Sequence, residues 1–418
     1  MFKVLTVLRV PTALLSVAAL NVVAADWEPR LEAQQNTALI GVEGRDNRNA
    51  SLVSVNRFVA LAWTATVGKT TDVFFSVSRD GSPFDPPRQV NDRAGDALAG
   101  GEQPPRVLLS AGSGTTGPRV AIVWASHLGA SAIRLARSAN GGREFMPAES
   151  VSPPEATGHR GWPAAAADRA GNAHVVWLDH GHGSWLTARS TSLTTNASRS
   201  VGPARVAGGV CYCCKTAIAA GPRGTLYAAW RHVYPGNVRD IAVAVSRDAG
   251  ATFEAPVRVS EDGWEINGCP DDGPAVAVDS SGTLHIAWPT VVDGSRKSIF
   301  YATSRDGRTF TPRREVPGLG SDSRAHPQIA ASSDGRVAIV WDEQRDVALV
   351  EVQNGTFSKP VVLDDAETDA TYPVATYAAD GLVVAWNARR GERSSIGVRR
   401  VASSFSGGSP VTRARGRS

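Results

Sequence analysis

Short apolar runs that end in tryptophan recur along the chain and dominate its pattern of hydrophobic and polar positions. The runs end at Trp63, Trp124, Trp177, Trp230, Trp288, Trp341 and Trp386, with gaps of 61, 53, 53, 58, 53 and 45 residues. No helical periodicity accompanies them, so the runs indicate strands. A period of about fifty residues built on strands predicts one supersecondary unit copied around an axis, which is a β-propeller.

Proline and turn residues divide each repeat in the same way. A first strand often starts beside a proline, as at Pro163, Pro274, Pro327 and Pro373, and a turn rich in Asp, Ser and Gly follows it. The strand that ends in tryptophan comes next, and a loop, a third strand, a second turn and a fourth strand complete the repeat. The pattern predicts an all-β fold made of four-stranded units.

The last repeat, residues 371–401, has only three strands. We expect its fourth strand from residues 37–42, because that pairing closes the ring and removes exposed sheet edges. Seven tryptophan repeats then predict a single propeller of seven blades. A six-bladed ring in which one repeat is an embellishment is the alternative.

The second turn of the repeat carries a Ser-x-Asp pattern. Four copies begin at Ser78, Ser138, Ser246 and Ser304, and each is followed by a phenylalanine. The Asp side chain can bond the turn backbone, Gly accepts a positive φ, and the aromatic ring packs into the blade. These segments resemble the Asp-box (BNR) repeats of sialidase-like propellers over nearly the whole mature chain. The resemblance implies a folding role for these turns, on the face opposite the active site; the six blades of sialidases differ from the seven expected here.

The two ends of the chain have compositions that differ from the repeats. Residues 1–25 combine Lys3 and Arg9 with an interrupted apolar stretch and small residues near Ala24, which predicts a secretory signal peptide and a periplasmic or secreted protein. A membrane anchor fits less well, since about 20 uninterrupted apolar residues are needed to span a bilayer. Residues 26–402 form the expected propeller domain, and the Ser/Gly-rich basic tail 403–418 is expected to be disordered.

The charge balance argues against nucleic acid as a partner. Of 44 basic and 40 acidic residues, setting aside two basic residues in the signal segment and three in the tail leaves 39 against 40. A nucleic-acid surface needs a clustered excess of positive charge. We therefore expect a small molecule, a glycan or a metal as ligand; the sequence does not define an oligomeric state.

Unusual polar residues concentrate in two kinds of loop that share one face of a propeller. These are the segments that lead into the innermost strand of each blade and the loops that follow each tryptophan. The candidate ligand-binding residues on this rim are Arg160, Arg231, Tyr234, Arg239, Asp240 and Arg324.

All four cysteines lie on the same rim. Cys211, Cys213, Cys214 and Cys269 fall within 59 residues and lead into the fourth and fifth blades, which are neighbours. An exported chain with an even number of cysteines favours disulfides. A soft-metal site for copper or zinc is the alternative, with His180, His182 or His232 completing the ligands. A free reactive thiol is a third possibility.

The cysteine segments, together with Trp230–Asp240 and Glu261–Pro270, resemble a group of exported bacterial sialidase-like proteins. That resemblance implies the fold and export, and it implies no defined reaction. A retaining sialidase needs three arginines, a tyrosine nucleophile with a glutamate, and an aspartate acid/base. Here the Arg-Ile-Pro segment of that family is absent, and Tyr372 and Tyr234 stand outside its motifs. The main hypothesis is a binding or accessory propeller, and the alternative is a hydrolase acting on sialic-acid-like or other acidic sugars.

Overall fold

The computed structural model describes residues 37–112, 117–153, 158–181, 184–193 and 201–401. The expected signal peptide and the basic tail lie outside these ranges. The described residues form seven antiparallel sheets. The chain is an all-β, seven-bladed propeller, as the tryptophan repeats predict.

Each blade is a sheet of consecutive strands, and one strand from the start of the chain joins the last sheet. Blade 1 contains β2 (Asp46–Val55), β3 (Phe58–Val67), β4 (Thr70–Ser78) and β5 (Arg88–Gln89). Blade 2 contains β6 (Arg106–Ser110), β7 (Arg119–Ser126), β8 (Ala132–Ser138) and β9 (Glu149–Ser150). Blade 3 contains β10 (Arg160–Ala167), β11 (Asn172–Asp179), β12 (Trp185–Ser192) and β13 (Val201–Gly208). Blade 4 contains β14 (Ala217–Ala220), β15 (Leu226–Arg231), β16 (Ile241–Ser246) and β17 (Val257–Arg258).

Blade 5 contains β18 (Ala275–Val278), β19 (Leu284–Val292), β20 (Arg296–Ser304) and β21 (Arg314–Glu315). Blade 6 contains β22 (Arg324–Ala331), β23 (Val337–Glu343), β24 (Asp346–Gln353), β25 (Thr356–Phe357) and β26 (Val361–Val362), the last two both pairing with β24. Blade 7 contains β27 (Asp369–Ala378), β28 (Gly381–Arg390), β29 (Arg393–Val401) and the N-terminal strand β1 (Ala38–Ile40).

The N-terminal strand closes the ring. β1 pairs antiparallel with β29, and Leu39 lies opposite Gly397. This confirms the pairing expected from the three-stranded last repeat. β1 is therefore the fourth, outermost strand of blade 7, and it joins the start of the described chain to its last repeat.

A buried tryptophan sits at every boundary between blades. All seven are at most 2% exposed. Trp63 packs with residues of blades 1 and 7, Trp124 with blades 1 and 2, and Trp230 with blades 3 and 4. Burial of one indole removes on the order of 200 Å² from water and contributes on the order of 5 kcal/mol. The repeat that reveals the fold is thus the residue that holds adjacent blades together.

The Asp-box turns bond their own backbone. In blade 4, Asp248 accepts hydrogen bonds from the Ser246 hydroxyl (2.8 Å) and from the Thr252 backbone N–H (2.9 Å) and hydroxyl (2.6 Å). In blade 5, Asp306 accepts from two successive backbone N–H groups, each at 2.8 Å. The contacts agree with a folding role for these turns.

Within the residues that the structure describes, helical structure is confined to short turns. Two 3-10 segments, Pro222–Gly224 and Pro235–Asn237, interrupt the loops of blade 4. Within the described ranges, no helix is long and apolar enough to cross a membrane.

Substitutions on β1 test the ring closure. Ile40 is 8% exposed inside the cluster between blades 1 and 7, whereas its neighbour Leu39 is 65% exposed. Ile40→Asp places a carboxylate among apolar side chains and should lower the free energy of unfolding by more than about 2 kcal/mol. Leu39→Asp on the same strand is the matched control, with an expected change within about 0.5 kcal/mol. Equal effects of the two changes in denaturant unfolding would contradict the closure.

Asp248→Ala tests the turn assignment. The change removes three hydrogen bonds on a solvent-facing turn, with an expected loss on the order of 1 kcal/mol in unfolding free energy. Asp365→Ala, an exposed aspartate in another loop, should have no measurable effect. Differential scanning calorimetry of both variants, with ligand binding measured in parallel, checks the result. Loss of binding without loss of stability would mean that the Asp-box face carries the site.

Candidate functional site

Four blades carry the same irregularity where their innermost strand begins. The register between the first two strands shifts across the pairs Asn49–Ala50, Trp162–Pro163, His326–Pro327 and Tyr372–Pro373. The first residue of each pair has a positive φ, at 60°, 50°, 53° and 52°. Such a conformation is strained for a residue with a Cβ, and β-bulges redirect side chains near functional sites.

The preceding blade holds each of these strained residues in place. The backbone N–H of Asn49 donates to Asn387 Oδ1 (2.8 Å), and that of Trp162 donates to Gln103 Oε1 (2.9 Å). The N–H of His326 donates to Asp272 Oδ2 (3.1 Å), and that of Tyr372 donates to Asp342 Oδ2 (3.0 Å). In all four cases a side chain from the neighbouring blade satisfies the bulged backbone. Contacts between neighbouring blades, rather than contacts within a single loop, therefore hold the four strained backbone conformations.

Two of the redirected side chains meet at the propeller axis. The rings of His326 and Tyr372 stack with their centroids 3.8 Å apart. His326 Nδ1 lies 2.8 Å from Asp342 Oδ2, and its Nε2 lies 3.9 Å from Glu102 Oε1. Gly101 lies directly against the Tyr372 hydroxyl, since a Cβ at Gly101 would come within 2.2 Å of that oxygen.

Further charged groups complete what we call the axial cluster. Its members are Glu102, Lys215, Asp272, Lys297, His326, Asp342 and Tyr372. Lys297 Nζ lies 3.0 Å from Asp272 Oδ2, and Lys215 Nζ lies 3.9 Å from Glu102 Oε2. Glu102 Oε2 and Asp272 Oδ1 are buried without a hydrogen-bond partner in the described part of the chain. Buried acceptors without donors are rare, and they mark the cluster as a candidate functional site.

The protonation states at the axis follow from burial and from charge. Burial raises the pKa of Glu102 well above its usual range, against the opposing charge of Lys215. Burial alone would lower the pKa of His326, but the Asp342 hydrogen bond and the nearby carboxylates raise it to about 9. Burial, and then the charge of Glu102, raises the pKa of Tyr372. At neutral pH His326 and Tyr372 are therefore proton donors, while Glu102 lies closest to changing its charge.

Two spaces adjoin the cluster. A channel of about 400 Å³ runs along the innermost strands, lined mainly by small residues such as Ala164, Ala217 and Ala275. On the rim, a groove of about 460 Å³ between blades 7 and 1 ends at Asn49 and Tyr372. We call it the rim groove; its walls carry Arg48, Arg345 and Arg389 against Asp46 and Asp369.

The cysteines come together as the blade positions predict. Cys213 and Cys269 form a disulfide with a Cα–Cα distance of 6.2 Å. Cys211 and Cys214 are free and buried, and their sulfur atoms are 3.0 Å apart. Cys211 Sγ also lies 3.8 Å from Cys213 Sγ. We call these four residues the thiol cluster.

The histidines proposed as metal ligands contact rings rather than sulfur. The His180 ring is 6.3 Å from that of Tyr212 and 6.4 Å from that of Trp162. The His232 ring is 4.5 Å from that of Tyr234. His182 lies outside the described residues. Because Cys213 is in the disulfide, a metal site would have two thiols here rather than three, and the metal hypothesis stays a prediction.

The predicted ligand-binding arginines are buried and bound within the protein. Arg231 is 1% exposed and donates to the carbonyls of Asp272, Arg239 and Pro289. Arg160 pairs with Asp179 at 3.1 Å, and Arg324 donates to the Val316 carbonyl at 2.8 Å. Arg239 donates to Asn237 and, at 3.1 Å, to Cys211 Sγ.

The two remaining candidates belong to a local network in blade 4. Asp240 is fully buried and accepts a salt bridge from Arg258, whose guanidinium also lies 4.7 Å from the centre of the Tyr234 ring. The structure therefore brings the four candidate residues of blade 4 together, while Arg160 and Arg324 stand apart in blades 3 and 6. These contacts favour anchoring roles, and binding roles for the six residues stay predictions.

Sequence reasoning missed the axial cluster as a unit. Its one visible sign was a large residue before proline at the same position of blades 3, 6 and 7, as in Trp162-Pro163, His326-Pro327 and Tyr372-Pro373. Glu102 has no such sign, because it stands in an irregular segment that reaches the axis only through the tertiary fold.

Comparisons with known proteins give the fold. No protein-family model matches the chain, and no curated protein matches its sequence. A protein of unknown function from Dyadobacter fermentans is similar over 88% of this chain and 98% of its own, with 16% identity and a TM-score of 0.52. An ulvan lyase bound to -[GlcA(1-4)Rha3S]- is similar over 87% and 96%, with 12% identity and a TM-score of 0.59. A mutant of Trypanosoma rangeli sialidase covers 89% of this chain and 58% of its own, with 14% identity and a TM-score of 0.46. The first two likenesses support the propeller fold alone.

The protonation of His326 gives a testable pH dependence. Since its pKa is raised from 6.5 to about 9, its stabilising contribution is full below about pH 6.5 and is lost as the pH rises through about 9. His326→Gln should lower the melting temperature at neutral pH. Between about pH 6.5 and 9, the melting temperature of this variant should fall less with rising pH than that of the unsubstituted protein. His127→Gln, on an exposed loop, is the control. A variant whose decline parallels that of the unsubstituted protein would contradict a charged His326.

Proposed function

We propose that the protein is exported and binds an anionic glycan in the rim groove, with the axial cluster as the centre for proton transfer. The observation that carries this proposal is the juxtaposition of an arginine-bearing groove with the stacked His326–Tyr372 pair at its inner end. Export is supported by the composition of residues 1–25.

The groove has the chemistry of a polysaccharide site. Its lining combines Arg48, Arg345 and Arg389 with the amides of Asn49 and Asn387 and with several hydroxyl groups. Amides and hydroxyls bond sugar hydroxyls, and arginine binds carboxylate or sulfate. Arg389 donates to the Gly391 carbonyl (3.0 Å), whereas Arg345 pairs with Asp369 (3.0 Å). Arg389 is therefore the groove cation best placed to receive an anionic group.

The axial cluster supplies proton donors at the end of this groove. Asp342 holds His326 through Nδ1, which leaves Nε2 facing Glu102. Tyr372 lines the rim groove, and it also lines a small space that it shares with Glu102 and His326. A protonated tyrosine beside an imidazolium can protonate a departing glycosidic oxygen, either in elimination from a uronic acid or in hydrolysis. The ulvan lyase is a propeller that acts on an acidic polysaccharide, and it adds support at the level of fold only.

A sialidase mechanism has less support. Three arginines would have to converge on one open carboxylate site. Arg160, Arg231, Arg239 and Arg324 are each at most 8% exposed and are engaged with protein groups. Hydrolysis of sialic-acid-like sugars remains the alternative, and cleavage of a fluorogenic sialoside that Arg239→Ala abolishes would establish it.

The cysteine-bearing rim supports a disulfide more than a copper or zinc site. The Cys213–Cys269 bond removes one thiolate from the set that a soft metal would use. Metal analysis of the purified protein, before and after reduction, decides between the two.

Binding and cleavage of a polysaccharide panel test the proposal. The panel contains uronic-acid and sulfated polymers with neutral polymers of similar length. We expect acidic polymers to bind and neutral ones not to bind, and Arg389→Ala to weaken binding about fivefold, the effect of one exposed charge contact. Arg390→Ala is the matched control, because Arg390 is adjacent, exposed and paired with Glu367 outside the groove.

Tyr372→Phe separates catalysis from binding. If the protein cleaves a bound polymer, this change should abolish cleavage and leave the dissociation constant within about twofold, since it removes one hydroxyl at the inner end. An ultraviolet-absorbing unsaturated product identifies elimination, and new reducing ends without that absorbance identify hydrolysis. Binding without cleavage assigns an accessory role. Equal binding of acidic and neutral polymers, or no binding at all, would overturn the proposal.

A further inference from the structure

The thiol cluster holds one disulfide and two free thiols in mutual contact. Cys211 is central, with its sulfur 3.0 Å from that of Cys214 and 3.8 Å from that of Cys213. Cys213 is in turn bonded to Cys269. A cysteine sulfur in contact with a sulfur of an existing disulfide is placed for thiol–disulfide exchange, which proceeds by attack of a thiolate on a disulfide sulfur.

Charge around Cys211 favours its thiolate. Arg239 Nη1 lies 3.1 Å from Cys211 Sγ, and this arginine is 7% exposed. Cys214 donates its S–H to the same sulfur, so Cys211 Sγ accepts one hydrogen bond from a thiol and one from a cation. The two free cysteines therefore differ in role, with one nucleophile and one hydrogen-bond donor.

The disulfide has one buried end and one exposed end. Cys211, Cys213 and Cys214 are buried, and Trp162 and Val233 pack against them. Cys269 is exposed, as are its neighbours Asn267 and Gly268. A molecule in solution can reach Cys269, while the attacking thiol is shielded.

We propose that the thiol cluster is a thiol–disulfide exchange site in which Cys211 attacks Cys213 and releases Cys269 to react with a disulfide-bearing partner. In the first step the Cys211–Cys213 bond forms and the Cys213–Cys269 bond breaks. Cys269 leaves with the electron pair as a thiolate, so the step needs no external oxidant. In the second step the Cys269 thiolate attacks the partner's disulfide, forming a mixed disulfide and releasing one partner thiolate.

Glutathione disulfide is the probe for this exchange, used on the full-length protein under non-reducing conditions. Acid quenching, proteolysis and mass spectrometry then locate each disulfide and each glutathione adduct. We expect the adduct on Cys269, accompanied by a Cys211–Cys213 bond. Cys211→Ser should abolish the adduct and leave Cys213–Cys269 intact.

Three further variants make the result interpretable. Cys213→Ser frees Cys269 permanently, so Cys269 should react without help from Cys211, which shows that the loop is reachable. Arg239→Gln should slow adduct formation about tenfold at neutral pH, because a thiol without a cationic neighbour is only a few per cent thiolate there. Arg247→Gln, on the opposite Asp-box face, is the matched control and should react at the original rate. Melting temperatures confirm that each variant is folded.

Several results would overturn the proposal. Two disulfides and no titratable thiol in the denatured, unreduced protein would show a static Cys211–Cys214 bond. Adducts on Cys211 itself, or an undiminished rate in Cys211→Ser, would remove it as the internal nucleophile. A stoichiometric copper or zinc ion that protects the thiols would make the cluster a metal site.

Discussion

One planar indole at every blade boundary is the constraint on which this propeller depends. Seven sheets radiating from an axis diverge outwards, and the wedge between neighbouring sheets has to be filled without cavities. Each tryptophan lies within the second strand of its blade and packs against the blade before it. Six of the seven indole N–H groups also have acceptors, as Trp288 does on Asp262 (2.7 Å) and Trp341 on Glu343 (2.9 Å), whereas Trp386 Nε1 has none in the described part of the chain. The same residue therefore spaces the blades and positions the loops that follow it.

A seven-bladed ring leaves a channel along its axis. In this protein, charged side chains of the axial cluster occupy the rim end of that channel. Apolar and small side chains, with Arg106 and Lys215, line the channel itself, while Glu102, Asp272 and His326 are packed together at its end. Enclosing ionised groups costs several kcal/mol per ion before their mutual attraction offsets the loss, and apolar residues often fill such a space with equal or greater stability. The stability of the fold does not explain this choice of residues. Strained residues at four bulges, each held by a side chain from the previous blade, indicate that the arrangement serves to place particular side chains at the axis.

The fold could be predicted because its determinants repeat. Tryptophans at a fixed period gave the blade number, and the short last repeat gave the ring closure, since both depend on local strand patterns. The meeting of Cys269 with the segment around Cys213 also followed, because adjacent blades bring their lead-in segments together. The axial cluster could not be predicted in this way, since blades 2, 4, 5, 6 and 7 each contribute only one or two residues to it and these share no motif. The sequence also did not predict whether a given arginine faces solvent or anchors a loop. Arg231 and Arg389 both closely follow an apolar run that ends in tryptophan, yet Arg231 is 1% exposed and Arg389 lines the rim groove.

Asp272 connects the two candidate sites. Its carboxylate receives Lys297 and the backbone N–H of His326, while its carbonyl accepts from Arg231 Nε at 3.1 Å. Arg231 in turn holds the carbonyl of Arg239, the residue that contacts Cys211. Asp272 also follows Cys269 by three residues, so the disulfide fixes the start of the segment that delivers this carboxylate to the axis. The thiol cluster and the axial cluster are therefore connected by a short chain of direct contacts through Arg239, Arg231 and Asp272.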